Sequence, residues 1–158
     1  MCRYYITMIR ALLSDFSRVL VSATITVPSL NRHHRELKST PDYRFSDHFF
    51  LNDRLLAYYE ELSATIPIYI ATTGALHELA EVKPHLSMVT KVFTGLAKSD
   101  PATYTDLAAA LSLLPREIIF IDDQLVNVTA AHEAGLHAIQ YTDNATVISE
   151  VSRLLLRP

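Results

Sequence analysis

The stretch Ile118–Gly135, IIFIDDQLVNVTAAHEAG, sets two adjacent carboxylates, Asp122 and Asp123, directly after an apolar run. Such a run, bounded by turn signals, predicts a strand buried on both faces. The carboxyl ends of strands like this are where open α/β sheets bind ligands. Adjacent carboxylates repel each other and are costly to desolvate, so a cation is expected to compensate them. A hard divalent ion such as Mg²⁺ is the leading candidate. A simpler role for Asp123 is to cap the following helix, but a cap uses only one of the two acids. Three further polar side chains close apolar runs elsewhere: Asp15 after IRALLS, Thr72 after IYIA, and Lys98 shortly after KVFT. An ionised Asp can act as a nucleophile. A Thr hydroxyl can donate to an anionic oxygen, and a Lys can neutralise a nucleophile and an incoming phosphoryl group together. An acid pair can hold Mg²⁺, which polarises that group. These parts suit phosphoryl or related group transfer. Each has a plainer role, as a turn acid, a strand-end hydroxyl or a solvated loop cation, and singly the plainer role is the better explanation. Jointly, four such features in order point to one crevice.

The elements that must position them can be read along the chain. Ile9–Ser14 predicts a first buried strand ending at Asp15. Residues 21–51 differ: Pro28, Pro41, the polar stretch NRHHRELKST and the aromatics Phe45, Phe49 and Phe50 predict an insertion, with a short helix near 29–38 and irregular structure after it. Asn52 is placed to cap a helix from Asp53 to about Ala64, with Leu55, Leu56, Tyr59 and Leu62 on one face. Ile68–Ala71 predicts a strand ending at Thr72-Thr73-Gly74, and Leu76, Leu79, Ala80 and Val82 a helix before Pro84. Lys91–Thr94 predicts a strand. Asp100-Pro101 opens a helix to about Leu113. After the strand at Ile118, Leu125–Ala134 predicts a helix stopped by Gly135, then a strand Ala138–Tyr141 and a closing helix Val147–Leu156. Strands alternating with helices from residue 53 onward imply an α/β fold, a doubly wound parallel sheet covered on both faces. The expected organisation is one domain over 1–158, with 21–52 as a small insertion.

Composition limits the function classes. A chain of 158 residues with 49% hydrophobic and 20% charged residues can build a real core. Net charge −3 with no long basic run gives nucleic-acid binding no electrostatic support. The single cysteine, Cys2, excludes an intrachain disulfide framework and fits a reducing compartment. No apolar stretch approaches the roughly 18 residues of a spanning helix, and the broken run Tyr4–Met8 makes a poor signal peptide. No membrane association and a cytoplasmic location are the expectations. The three glycines, at 74, 95 and 135, cannot build a Gly-rich phosphate loop, which excludes the dinucleotide fingerprint and the P-loop.

SDFSRVLV, IYIATTG, LAKSDPATY and IIFIDDQLVNVTAAHEAG, in that order, resemble the four motifs of the haloacid dehalogenase-like (HAD) hydrolase superfamily. The fourth matches most closely, through the acid pair, Asn127, Ala130-Ala131 and Gly135, and the resemblance covers about residues 8–156. It implies a Rossmann-like sheet with a reduced cap insertion, and Mg²⁺-dependent hydrolysis of a small, phosphorylated molecule through a covalent intermediate. It further implies Asp15 as nucleophile, Thr72 with Thr73 binding the transferred group, and Lys98 orienting it. The implied metal ligands are Asp15, the acids Asp122 and Asp123, and the backbone carbonyl of the residue two after the nucleophile, here Ser17.

One departure bears directly on chemistry. Phosphatases of this family carry a second Asp two residues after the nucleophile as general acid and base; here it is Ser17. A serine hydroxyl is far too weak an acid for that role, and losing general acid–base help costs typically 10²–10⁴-fold. The Gly-Thr that usually follows is Arg18-Val19, which puts a cation beside the site, either to recognise a substrate anion or to reach solvent. Two alternatives to phosphatase follow: a non-catalytic relative with a binding or regulatory role, and a hydrolase of carbon–halogen or carbon–phosphorus bonds; the resemblance implies that the carbon–halogen branch needs no metal and that the carbon–phosphorus branch uses a Schiff-base lysine from the cap, where Lys38 is the insertion's one lysine. The short insertion leaves the crevice open, which suits a large substrate, a partner protein, or a second subunit supplying the lid in a homodimer. His33 and His34 are expected at the surface, Phe45, Phe49 and Phe50 in the insertion's own core, and Asp47 and His48 are the residues that could replace the missing acid from the insertion.

Overall fold

The computed structural model describes residues 8–156. Cys2 and, apart from Met8, the Tyr4–Met8 run lie outside the described residues. Five parallel strands form one sheet in the order β5-β4-β1-β6-β7: β1 is Ala11–Asp15, β4 Ile68–Thr72, β5 Val89–Thr94, β6 Ile118–Asp122 and β7 His137–Gln140. The continuous apolar runs become the inner strands: β1 and β6 are buried at every residue, and β4 at every residue except Tyr69. The edge strands β5 and β7 have no fully buried residue.

Strand alternation divides the inner residues between two cores. Leu13, Ala71, Ile118 and Phe120 pack with Tyr104, Leu107 and Ala108 of α4 (Pro101–Ala110) and Ala130 and Ala131 of α5 (Leu125–Glu133). Leu12, Ile68, Ile70, Ile119 and Ile121 pack on the opposite face with α3 (Asp53–Ser63) and α6 (Asn144–Leu155). The sheet is thus covered on both sides, as the alternation of strands and helices requires. Each fully buried Leu or Ile contributes roughly 1.5–3 kcal/mol, so the three inner strands are the least expendable part of the sheet.

Helix ends follow the local chemistry. Asn52 caps α3 by accepting from the Leu55 amide, and its Nδ2 donates to the Val19 carbonyl, tying that helix to the segment after β1. Asp100 caps α4 with Pro101 at its first turn. Gly135, at φ 93°, ends α5 in the left-handed conformation that favours glycine.

Four expectations are corrected. No α-helix forms over 76–82; two 3₁₀ turns, Leu76–Glu78 and Lys83–Leu86, replace it. Pro84 lacks a donor, and the window after Gly74 is too short to nucleate a helix well. The first strand begins at Ala11, not Ile9; Arg10 enters by donating to the Glu117 carbonyl. Downstream of α1 (Leu30–Leu37) the insertion is ordered rather than irregular: a one-turn helix α2, Phe45–His48, leads into β3 (Phe49–Leu51), which pairs antiparallel with β2 (Val21–Ala23). Strands of three residues carry too little alternation to be recognised. Finally, Phe45 and Phe49 stack at 5.1 Å in the insertion's core, but Phe50 alternates outward on β3 and is 53% exposed.

Candidate active site

Register aligns the strand ends. Asp15 pairs with Ala71 on β4, Ser14 with Ile121 on β6, so the ends of β1, β4 and β6 fall at one level. Lys98, from the loop after β5, reaches back to that level. Its Nζ donates to Asp15 Oδ1 at 2.7 Å and to Asp122 Oδ2 at 2.9 Å. All three side chains are nearly buried: 9% exposed for Lys98, 6% for Asp15 and none for Asp122. An ion triad this dry survives only with its remaining polar atoms satisfied. Asp122 meets that requirement: Oδ1 accepts from the Gln124 amide at 2.8 Å, and Oδ2 also accepts from Asn127 Nδ2 at 3.1 Å. The Tyr104 hydroxyl donates to the Lys98 carbonyl at 2.7 Å and holds that loop against α4. Behind Asp15, the Tyr59 hydroxyl donates to Ser14 Oγ, which donates to the Asp15 carbonyl.

Asp123 is the outlier of the acid cluster. It is only half-buried and lines the open crevice of about 310 Å³ together with Asp15, Ser17, Arg18, Thr73 and Lys98. It does not cap α5, whose N-cap is Gln124 without a side-chain bond. One carboxylate oxygen each from Asp15, Asp122 and Asp123 lie within 4.8 Å of one another. Three hard oxygen donors at that spacing fit a divalent cation such as Mg²⁺. Asp15 and Asp123 line the crevice, with Asp122 behind them, its oxygens also accepting from Lys98, Gln124 and Asn127.

Burial pushes the Asp15 carboxyl up to about 7; Lys98 opposes this rise and Asp122 adds to it. Burial alone would lower the Lys98 ammonium, but Asp15 and Asp122 together hold it above the ordinary lysine value. Asp123 is also raised, first by burial and then by Asp122, with Arg18 pulling the other way. The crevice is short of positive charge, the condition a metal relieves.

The remaining sequence candidates divide. Ser17 and Thr73 line the crevice. Thr72 is buried, its Oγ1 accepting a long bond from the Gly74 amide at 3.4 Å. Arg18 lines the crevice, with one guanidinium nitrogen, Nη2, donating to the Val27 and Pro28 carbonyls at 2.8 and 2.9 Å, and its backbone sits at φ 63°. A residue with a side chain in that region bears strain of order 1 kcal/mol. Asp47 is exposed, and His48 stacks on Tyr43 at 5.6 Å; neither lines the crevice, so the insertion does not replace the missing acid there. His33 and His34 are half-buried rather than surface residues, set against Phe49 and Tyr43. Lys38 lines a neighbouring groove, not the crevice of Asp15. Sequence reasoning missed the roles of Gln124, Tyr104 and the Tyr59–Ser14 chain. Asn127 was visible as a motif residue, and its spacing from Asp122 was the available signal for their bond.

The family model of the haloacid dehalogenase-like hydrolases matches residues 27–135, more than half of the chain; Thr72, Lys98, Asp122 and Asp123 fall inside that span and Asp15 before it. The chain is 29% identical over 111 residues to an enolase-phosphatase E1 of Monosiga brevicollis, covering 64% of this chain and 36% of that protein. It is 32% identical over 90 residues to an enolase-phosphatase E1 of Methylococcus capsulatus, covering 52% and 38%. The chain therefore spans little more than a third of the length of these curated relatives. Among solved structures, a predicted HAD-like family hydrolase from Porphyromonas gingivalis superposes with TM-score 0.68 at 17% identity, covering 96% of this chain and 100% of that one. A HAD family enzyme from Bacteroides thetaiotaomicron, solved with magnesium and inorganic phosphate, superposes with TM-score 0.56 at 16% identity, covering 87% and 95%. Both likenesses are of fold.

Proposed function

The chain belongs to the haloacid dehalogenase-like hydrolase family, and from that membership we propose that it hydrolyses a phosphorylated small molecule through a phosphoryl group carried on Asp15. The observation that carries this reading is the Lys98 ammonium between Asp15 and Asp122, at 2.7 and 2.9 Å, on the wall of an open crevice. An Oδ of ionised Asp15 attacks phosphorus, the bond from phosphorus to the leaving oxygen breaks, and that oxygen departs with the electron pair. Water then attacks the aspartyl phosphate, releasing inorganic phosphate and the Asp15 carboxylate. Lys98 lowers the proton affinity of Asp15 and offsets charge on the transferred group. Asp15, Asp122, Asp123 and the Ser17 carbonyl would hold Mg²⁺, which would supply the charge neutralisation that group transfer requires. Ser17 cannot protonate the leaving oxygen, so substrates whose leaving group departs as a stable anion are favoured.

A second reading, a binding or regulatory protein that keeps the anion site, is favoured by one observation: Ser17 stands where the acid should be, and neither Asp47 nor His48 lines the crevice. A crystal grown with Mg²⁺ and beryllium fluoride tests the first step. A beryllium bonded to Asp15 supports the nucleophile; an unmodified Asp15 at saturating reagent refutes it. An adduct without turnover of any phosphate ester favours the second reading.

A further inference from the structure

Between α1 and the 73–79 loop runs a second groove of about 470 Å³, walled by Asn31, His34, Arg35 and Lys38 on one side and by Thr73 and Leu76 on the other. Thr73 also lines the crevice of Asp15, so the two cavities meet at that residue. The groove is held by a close approach: a Cβ on Gly74 would collide with the Asn31 side chain. The helix that carries the groove's cations is therefore seated directly on the loop that follows Thr72.

Two cations and one acid line this groove. Cations near a helix C-terminus are favoured by the helix dipole, which explains why Arg35 and Lys38 are tolerated there. Arg44, elsewhere in the insertion, also makes no ion pair among the described residues; what sets Arg35 and Lys38 apart is that they line a groove meeting the crevice. Arg32, on the same helix, pairs with Glu36, and Arg18 is tied to two carbonyls. Among the described residues, Arg35 and Lys38 make no ion pair. His34 contributes a hydrogen-bonding ring, its Nδ1 lying 3.3 Å from the Tyr43 hydroxyl. Glu78 is the one acid in the lining; it is exposed and lies 3.8 Å from His77. The groove thus presents two unpaired cations beside a crevice that handles an anion.

We propose that this groove is a second anion subsite, so that the substrate is a small phosphorylated molecule with a further carboxylate or phosphate displaced from the reacting group. This rests on the reading of the crevice as a phosphoryl-transfer site. Arg35 is the residue suited to bidentate contact, and Lys38 adds a point charge. Binding a remote group in this way orients the reacting phosphoryl against Asp15. That matters most in a crevice that lacks a general acid, because positioning must carry more of the rate.

The test compares phenyl phosphate with phenyl phosphates bearing a carboxylate on the ring, or on a one- or two-carbon arm, in the presence of Mg²⁺. Two exposed contacts of this kind are expected to give at least one carboxylated compound an advantage of about tenfold in kcat/KM. In the Arg35→Gln, Lys38→Gln double variant that ratio should fall to about one. Equal kcat/KM across the series, or an advantage that survives in the double variant, overturns the subsite. Absence of turnover of every aryl phosphate would count against the hydrolase reading instead. Calorimetry of the same compounds with the Mg²⁺-loaded protein then reads the subsite separately: carboxylated compounds binding no tighter than phenyl phosphate overturn it. Both substituted residues are exposed, and a thermal melt checks that the variant is folded.

Discussion

Replacing Lys98 by methionine should destabilise the metal-free protein in a pH-dependent way. The side chain being removed is 9% exposed and bonds two acids that are 6% and 0% exposed. Deleting one partner of a buried ion pair costs about 3–5 kcal/mol, because the remaining charge is left unpaired. At roughly 2–4 °C per kcal/mol for a domain of this size, melting should fall by on the order of 10 °C. A solvated loop lysine would change stability by less than about 0.5 kcal/mol. The pH dependence identifies the cause. The Asp15 carboxyl, raised by burial to about 7 in the folded protein against 3.8 for an unperturbed aspartate, holds a proton that the unfolded chain releases. The stability this provides is complete below the unfolded value and is lost as pH rises through the folded one. Without Lys98, two influences that lower the Asp15 pKa disappear, and the loss continues past pH 7. Wild type and variant should therefore diverge by up to about 1.4 kcal/mol for each further pH unit until the variant's Asp15 ionises. Melts from pH 5.5 to 8.5 measure this, and added Mg²⁺ should narrow the gap. A variant that melts within about 2 °C of wild type at every pH would show that Lys98 does not neutralise this site.

Mg²⁺ should bind more tightly as pH rises through about 7, because the ion displaces the Asp15 proton; calorimetry in buffers of different ionisation enthalpy should find about one proton released at pH 6 and close to none above pH 8, and pH-independent affinity contradicts the metal position. Wild-type turnover of alkyl phosphates should trail that of activated aryl phosphates, and Ser17→Asp should raise the alkyl rate, by up to the roughly 10²–10⁴-fold that general acid–base help is worth; an unchanged alkyl rate refutes the role assigned to position 17. Gly74→Ala should change stability by less than about 1 kcal/mol, because Gly74 is outside the left-handed region and the new methyl meets only the end of the Asn31 side chain, which can turn aside; a melting temperature lowered by about 10 °C or more would show that the Asn31 side chain is fixed against that loop.

The sheet was largely legible because its inner strands are continuous apolar runs ending in polar residues, and these endings also marked Asp15, Thr72, Lys98 and the acid pair. What sequence could not convey was lateral geometry. Asp122 and Asp123 are equivalent on paper, but strand alternation buries one among donors and leaves the other at the crevice. Nothing in SDFSRVLV indicates that Val27 and Pro28 return to meet the Arg18 guanidinium. The β2–β3 ribbon was missed because its stability comes from a pairing distant in sequence. The 76–82 helix was over-read from apolar spacing, where local backbone chemistry decided otherwise.

Lys98 hangs from the edge of the sheet. β1, β4 and β6 are flanked by neighbours on both sides, whereas β5 pairs with β4 alone and has no fully buried residue. Edge strands open by small local fluctuations while a sheet's centre waits for global unfolding. An opening of β5 that also broke the Tyr104–Lys98 bond to α4 would draw the ammonium away from two acids rooted in the middle strands, and Asp15 would then hold its proton more tightly. Opening of that edge and ionisation of Asp15 would be linked: acid would favour the opened form, and ionised Asp15 the closed one.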